Sequence, residues 1–576
     1  MAYFLKKSKQ AKSDEKGLYL QIYESSRDKA RGESYNKCFK SLGYYNDLIS
    51  NSVPDPIEHY KEVIKEMNKE RKKKILDDKV RTIGENPVRN IGYFIANNVM
   101  NKMDIKEHFN LLFSNYRYEF NPYESFIDLV YSRLVEPSSK LKAYEEVIPT
   151  LYRHTNTSID QIYTFVESLG RDYERVVEIL NYNYEKAFGK RKTDYTYFDC
   201  TNYYFEIDKP YEDKQKGPSK ENRKDPIIGM GLLLDSELIP FSFKMYPGNQ
   251  SEKPMIRQII NSMKEKNNIK GKTIQVADKG LNCGQNIYEA LQNGDGYIYS
   301  NSVNTINSDI KNIVLDETGY VNTIDKNGDI VFRIKEVILD REYEYLDENG
   351  KKDTFKAKQK LVIYYSKTLE DKKSIEIKRK VDIALSKVGQ TTTKGNLGSI
   401  DKYIDLEVID KNGEITNDKI IKCINQKKIE DDLSICGYNI LITSEIDKSA
   451  TEIYDVYHKL WKIEETFRLL KTSLEARPIY HRNKESIYGH FLILFTSILL
   501  VRILEIKIFN CKIDYLDILS FIRKTRCIIS KDLFINISSL NDVISFINSA
   551  FKGKYLNYYL YPSDLDKMLS SIPTTP

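Results

Sequence analysis

Apolar and polar residues alternate with a period of two in Leu18-Tyr-Leu-Gln-Ile-Tyr-Glu and again over residues 35–42, on either side of a polar turn region at 27–33. This pattern predicts a β-hairpin at the start of the chain. From about residue 56 to 192 the apolar spacing becomes helical, in segments 57–74, 90–103, 122–134 and 159–188 separated by Pro, Ser and Asn clusters. Strand patterns return at 195–205, 227–234 and 238–246, followed by a helix at 253–265, a strand at 272–278 and a helix near 284–292. Strands that give way to alternating helix and strand predict a mixed α/β sheet. Residues 297–437 then form a long run of short β patterns with turn signals such as Asp347-Glu-Asn-Gly and Asp410-Lys-Asn-Gly. No ordinary loop is that long, so the run is expected to be an inserted β domain, separately folding over about 301–436. Residues 438–444 read as a strand returning to the interrupted sheet, 449–474 as one strong helix, and the remainder from 487 as mainly helical with a polar tail.

Composition adds bounds to this picture. A chain of 576 residues is too long for a single core, and 41% hydrophobic with 30% charged residues and no long low-complexity tract describes a soluble globular protein. A net charge of +6 from 89 basic and 83 acidic side chains does not by itself name a partner. Local runs rich in Lys and Arg at 6–16, 65–74 and 186–192 could neutralise phosphates, although for any one run a solvated helix face or loop is the more ordinary reading. Seven cysteines, an odd number with no Cys-x-x-Cys, point to reduced thiols and a cytoplasmic setting. Residues 1–20 are polar and lysine-rich, unlike a signal peptide. The most apolar stretch, 491–501, is ended by Arg502 well short of the roughly 18 residues a bilayer requires, so it reads as a buried core helix.

Three acidic residues carry the candidate chemistry. Asp199 lies mid-strand in Tyr-Phe-Asp-Cys-Thr, sharing a face with Tyr197, Thr201 and Tyr203 while Phe198 and Cys200 point the other way. Asp278 ends the apolar run of Val-Ala-Asp-Lys-Gly, and the carboxyl ends of strands in α/β sheets are where ligands usually bind. Glu464 belongs to the 449–474 helix, where at about 100° per residue Tyr457, Trp461, Glu464, Arg468 and Lys471 fall within roughly 40° of one line. Leu460, Ile463, Phe467, Leu470 and Leu474 make an adjacent apolar stripe. Each acid alone is ordinary as a turn, cap or solvated residue. Together, three converging carboxylates suit hard divalent cations and phosphodiester chemistry.

Those motifs resemble the DDE transposases of bacterial insertion sequences, in the group marked by a Tyr-x2-Arg-x3-Glu-x6-Lys signature. Here the signature reads Tyr457, Leu460, Glu464 and Lys471, with Leu460 as its departure. Gly217-Pro-Ser-Lys-Glu-Asn-Arg, Gly248-Asn249, Leu134-Val-Glu-Pro-Ser-Ser-Lys140, Arg477-Pro-Ile-Tyr-His and Gly489-His490 match as well. The resemblance implies a ribonuclease-H-like catalytic domain at 193–300 and 437–505, interrupted by the β insertion at 301–436. A β-hairpin unit at 1–55, a helical, DNA-binding domain at 56–192 and a helical C-terminal region at 506–576 complete the expected organisation. It implies two Mg2+ or Mn2+ ions, Asp199 bridging both while Asp278 and Glu464 each hold one. Tyr457, Trp461, Arg468 and Lys471 would contact DNA, with Trp461, the only tryptophan, either stacking on an unpaired base or wedged into the core. The implied partners are terminal inverted repeats and target DNA, engaged by a homodimer beside the bacterial nucleoid and away from any membrane. A nuclease that cuts without joining, or a non-catalytic DNA-binding derivative, are the alternatives.

Overall fold

The computed structural model describes residues 2–573 except 28–33, 82–86, 208, 221–223, 267–270, 304–307, 393–396, 412–413, 478, 480, 531 and 540, with backbone alone at 26–27, 34, 73–81, 266, 391–392, 407–411 and 414–420. It divides into two compact units, Met1–Pro87 and Val88–Pro576. The expected polar turn at 27–33 falls mostly outside the described residues.

The first unit is a three-stranded antiparallel sheet of β1 (Tyr3–Ser8), β2 (Tyr19–Arg27) and β3 (Ser34–Tyr44), covered by helix α1 (Pro56–Arg81). Asn68 of α1 ties down β1, accepting from the Tyr3 N–H at 2.8 Å and donating to the Tyr3 carbonyl at 2.9 Å, and Arg71 pairs with Glu24 at 2.5 Å. Two expectations change here. The basic run at 6–16 contributes an edge strand, and the boundary falls at 87/88 rather than 55/56, because α1 buries its contacts on the hairpin.

In the second unit, β4 (Val88–Asn90) precedes the helices α2 (Pro122–Val135), α3 (Ile159–Arg171) and α4 (Tyr173–Phe188). Then come β5 (Tyr195–Tyr204), β6 (Ile227–Leu234), β7 (Pro240–Pro247), helix α5 (Lys253–Lys266), β8 (Ile274–Ala277), helix α6 (Gly284–Gln292) and β9 (Gly296–Asn301). After them come β10 (Val321–Ile324), β11 (Ile330–Leu346), β12 (Lys352–Ser366) and helix α7 (Lys367–Leu385). β13 (Thr391–Thr392), β14 (Ile404–Lys411), β15 (Glu414–Ile424), helix α8 (Gln426–Ser434) and β16 (Tyr438–Thr443) follow.

One nine-stranded sheet, in the order β10-β11-β12-β16-β9-β8-β5-β6-β7, organises this unit. β5, β8 and β9 are parallel, whereas β5-β6-β7 and the β9-β16-β12-β11-β10 wing are antiparallel. The expected insertion is therefore not a separate β domain. β12 pairs with β16 from Lys360 opposite Thr443 to Tyr365 opposite Tyr438, so residues 321–366 extend the central sheet. Within 301–436, among the described residues, β13-β15-β14 alone form a sheet of their own, packed by α7.

Two apolar cores lie on opposite faces of the large sheet. Tyr197, Tyr203 and Val276 belong to one with the helices, and Phe198, Cys200 and Ala277 to the other, as the alternation predicts. Past helices α9 (Ala450–His458) and α10 (Trp461–Arg468), helix α11 (Lys484–Ile503) runs through the first core, buried from residue 486 onwards, and no described helix is long and apolar enough to cross a membrane. Gly489 lets it cross α3, since a Cβ there would stand 1.9 Å from the Val166 carbonyl oxygen. The C-terminal region is less helical than expected: β17 (Arg526–Ser530), β18 (Leu533–Asn536) and β19 (Tyr559–Leu560) form a sheet with β4, in the order β19-β18-β17-β4. The seven cysteines are free thiols. In the 186–192 basic run, Arg191 is buried, pairs with Asp235 at 2.8 Å and stacks on Tyr184, and so is part of the core.

Candidate active site

The last paired residues of the parallel strands β5 and β8 are Phe198 and Ala277. One step further along the same ladder stand Asp199 and Asp278, so register places the two carboxylates on neighbouring strands, whose spacing is about 4.8 Å. Ala277 in turn pairs with Tyr299 of β9, and one step on is Ser300, whose hydroxyl donates to Asp278 Oδ1 at 3.0 Å. Tyr457 reaches the same oxygen from above the sheet, its hydroxyl donating at 3.3 Å. Asp278 is exposed and immediately precedes the single turn that begins at Lys279, without a side-chain capping bond to it.

Asp199 is in a different setting. It is half-buried, its Oδ1 accepts the Cys200 N–H at 2.7 Å, and the Lys220 ammonium stands 3.8 Å away. Burial raises its pKa to about 6, against the pull of Lys220 and the Cys200 N–H and with the push of Glu252 and Asp278. Lys220 lies 3.6 Å from Glu252 and also donates to the Cys200 carbonyl. Asn202 of β5 fixes this loop, donating to the Pro218 carbonyl at 3.1 Å and accepting the Lys220 N–H at 3.4 Å. A Cβ at Gly217 would stand 1.9 Å from the Gly248 oxygen, and one at Gly248 would stand 2.1 Å from the Ile227 oxygen, so glycine alone lets the two loops touch. Lys220 and Glu252 are the site residues that sequence patterns miss. Their signal was the pair of glycine motifs, whose function is a close approach beside Asp199. Glu221, Asn222 and Arg223 of the first motif lie outside the described residues.

Glu464 is carried by a helix that is not continuous. Helix α9 (Ala450–His458) starts at a capping box on Ser449 and ends at a tight turn in which Lys459, Leu460, Lys462 and Ile463 each donate to the carbonyl three residues back. Helix α10 (Trp461–Arg468) follows, then a π-helical turn at Leu469–Ser473. The tighter and wider turns rotate successive side chains by more and by less than an α-helix does, so the single line through Tyr457 and Lys471 is broken. The apolar stripe survives: Leu460, Ile463, Phe467, Leu470 and Leu474 are all buried. Leu460 therefore packs in the core, away from any phosphate.

Adjacent glutamates have opposite roles in α10. Glu465 pairs with Lys462 at 2.6 Å and with the fully buried Arg502 of α11 at 2.7 Å, and Arg502 also bonds Glu505 at 2.5 Å. Burial works against ionisation of Glu465, but Lys462 and Arg502 outweigh it and hold the carboxyl below its ordinary range. Glu464 is exposed, with no hydrogen bond or ion pair among the described residues, on a helix that packs against β5. Among the described residues no three His, Cys, Asp or Glu side chains are close enough together to hold one metal ion.

Of the residues expected to meet DNA, Trp461 is 55% exposed, which removes the core alternative, and Lys462 lies over its ring. Arg468 is exposed at the end of α10. Lys471 is half-buried, its ammonium 5.4 Å from the centre of the Tyr203 ring on β5, and Arg477 lies over Tyr204. Pro478 and Tyr480 fall outside the described residues. The two remaining motifs meet in the helical core, where Lys140 Nζ stands 3.5 Å from His490 Nδ1.

No curated protein matches the chain. A family model for the transposase DDE domain matches residues 205–500, a span of 296 of the 576 residues that contains Asp278 and Glu464 and begins six residues after Asp199. The chain belongs to the DDE transposase family.

Proposed function

We propose that this chain binds the terminal inverted repeats of an insertion sequence, cleaves the DNA at their ends and joins the 3' ends to target DNA, with Asp199, Asp278 and Glu464 as its catalytic acids. The observation that carries this reading is the β5–β8 ladder, in which Asp199 in the middle of β5 and Asp278 just past the end of β8 stand side by side, beside the helix α10 that packs on β5. Three antiparallel strands followed by two parallel ones, in the order β7-β6-β5-β8-β9, support a ribonuclease-H-like catalytic fold.

The donor set fits Mg2+ or Mn2+. It consists of hard carboxylate oxygens, and Asp199 is a carboxylate whose burial is only partly offset by a lysine 3.8 Å away, so a further cation is favoured there. Asp199, Asp278 and Glu464 would hold two such ions, which supply Lewis-acid stabilisation of an in-line phosphoryl displacement when bound. The protein's own groups do the rest. Ser300 and Tyr457 fix the Asp278 carboxylate, Lys220 keeps Asp199 ionised before metal arrives, and the Glu465–Arg502 pair sets α10 so that Glu464 faces outward. In this reading Arg468, Lys471, Trp461 and Tyr457 hold a DNA end.

Incubating the purified chain with candidate terminal repeats and Mg2+, scored for both cleavage and joining of pre-cut ends, tests the proposal. Cleavage without joining would make it a nuclease, and binding without either would make it a non-catalytic derivative. Full activity in a chelator would remove the metal.

A further inference from the structure

A cavity of about 270 Å3 opens between the catalytic strand ends and the segment that follows β12. Asp278 and Tyr457 line one side, and Lys279, Lys373, Lys380 and Lys402 are among the residues lining the others. Two of these lysines are already neutralised: Lys380 pairs with Glu376 at 2.6 Å, and Lys402 with Asp432 at 2.5 Å. Asp432 is further satisfied by Lys428 at 2.9 Å and the Tyr403 hydroxyl at 3.0 Å. Neither Lys279 nor Lys373 has a carboxylate within ion-pair distance among the described residues. Lys373 is half-buried on α7, and burial, with Lys279 adding to it, pushes its pKa below the ordinary lysine range. Two unneutralised ammonium groups thus share a cavity whose remaining charge is Asp278, the carboxylate already read as a metal ligand.

We propose that this cavity is a phosphate subsite for a single DNA strand, with Lys279 and Lys373 gripping a phosphodiester next to the one that reacts at Asp278. This rests on the transposase reading above and assigns to α7 a direct part in holding the substrate. An anion between Lys279 and Lys373 relieves their mutual repulsion and the cost of burying Lys373 unpaired. At about 270 Å3 the space is far too small for a duplex, and Asn301 and Asn439 in its wall offer neutral amide donors. A strand peeled from its partner at the cleaved end is the form of DNA that fits.

The test is fluorescence anisotropy with the full chain in Ca2+, using an arbitrary-sequence duplex that carries an unpaired strand at one end and the same duplex made blunt. K279Q/K373Q should weaken binding of the first probe about tenfold and lower its salt slope by about one, with a smaller loss on the blunt probe. Lys373→Arg should keep most of the affinity, and Lys378→Gln, exposed on the same helix, should bind like the wild type. If the double variant melts early, Lys279→Gln alone carries the test, since Lys279 is exposed. Wild-type affinity in the Lys279 variants, or equal losses on both probes, overturns the subsite and leaves the transposase reading standing. Failure of the wild-type chain to bind any DNA overturns both.

Discussion

The strand side and the helix side of the candidate active site are built on different principles. Asp199 and Asp278 are placed by sheet register: once Phe198 lies opposite Ala277, the next residues on two parallel strands are neighbours. Glu464 is placed by a helix broken at Lys459–Leu460 and anchored from behind by Glu465, Arg502 and Glu505. The ladder is redundant, with apolar cores on both faces, whereas α10 depends on a few buried charges. The first two acids are therefore rigidly placed, and the third is held in a position that a small change in packing can move.

The carboxylates themselves set the largest expected effect. Asp199→Asn, Asp278→Asn and Glu464→Gln should each lower cleavage by roughly a thousandfold or more, with little loss of DNA binding, because each removes a metal ligand and no phosphate contact. Glu465→Gln should also reduce activity, but together with the melting temperature, as befits a structural residue. Near wild-type cleavage in any of the first three would take that residue out of the site.

Next comes the anchor of the helix side. Arg502→Met leaves Glu465 and Glu505 buried with Lys462 as their remaining cation, which should cost about 3–5 kcal/mol of unfolding free energy, read as a lower urea midpoint. Activity should fall at temperatures where the variant is still folded, because α10 loses its hold. A fully active variant at that temperature would mean that the buried charges do not hold α10 in its working position.

The contrast was partly legible in the sequence. Alternation around Asp199 and the apolar run ending at Asp278 are local signals, and both strands form where those patterns lie. Period-two alternation does not name a strand's partner, however, so residues 321–366 read as an independent domain although β12 lies against β16. The break at Lys459–Leu460 contains neither Pro nor Gly, so no local residue type signals it. Nor could composition tell Lys220, beside Asp199, from Arg191, which is buried against Asp235. Both belong to basic or polar stretches, and only tertiary contact separates them.

A smaller effect tests the strained setting of Asp199. Its folded pKa of about 6 lies above the ordinary 3.8, so the protonated form favours folding. That contribution is fully present below about pH 3.8 and is lost as the pH rises through 6, leaving the ionised carboxylate destabilising at pH 8. In metal-free buffer, Asp199→Asn should therefore stabilise the protein at pH 8 by roughly 2 kcal/mol, after allowance for partial exposure, and by almost nothing at pH 4. Added Mg2+ should raise the melting temperature of the wild type more than that of the variant. A stabilisation independent of pH would show that Asp199 is not the group titrating.

The smallest effect separates two cations beside Glu464. Arg468 lies one turn beyond it on the same helix and is exposed, so its guanidinium can grip a phosphate in two places. Lys459 is also exposed, but it belongs to the tight turn between α9 and α10 and precedes the helix that carries Glu464. Arg468→Ala should weaken binding of a terminal-repeat duplex and lower its salt slope by about one, whereas Lys459→Ala should do little. This expectation no longer needs a straight helix from Tyr457 to Lys471, because it uses only the four-residue step within α10. Salt titrations of both variants on one duplex decide it, and greater damage from Lys459→Ala would place the DNA against the turn instead of along α10.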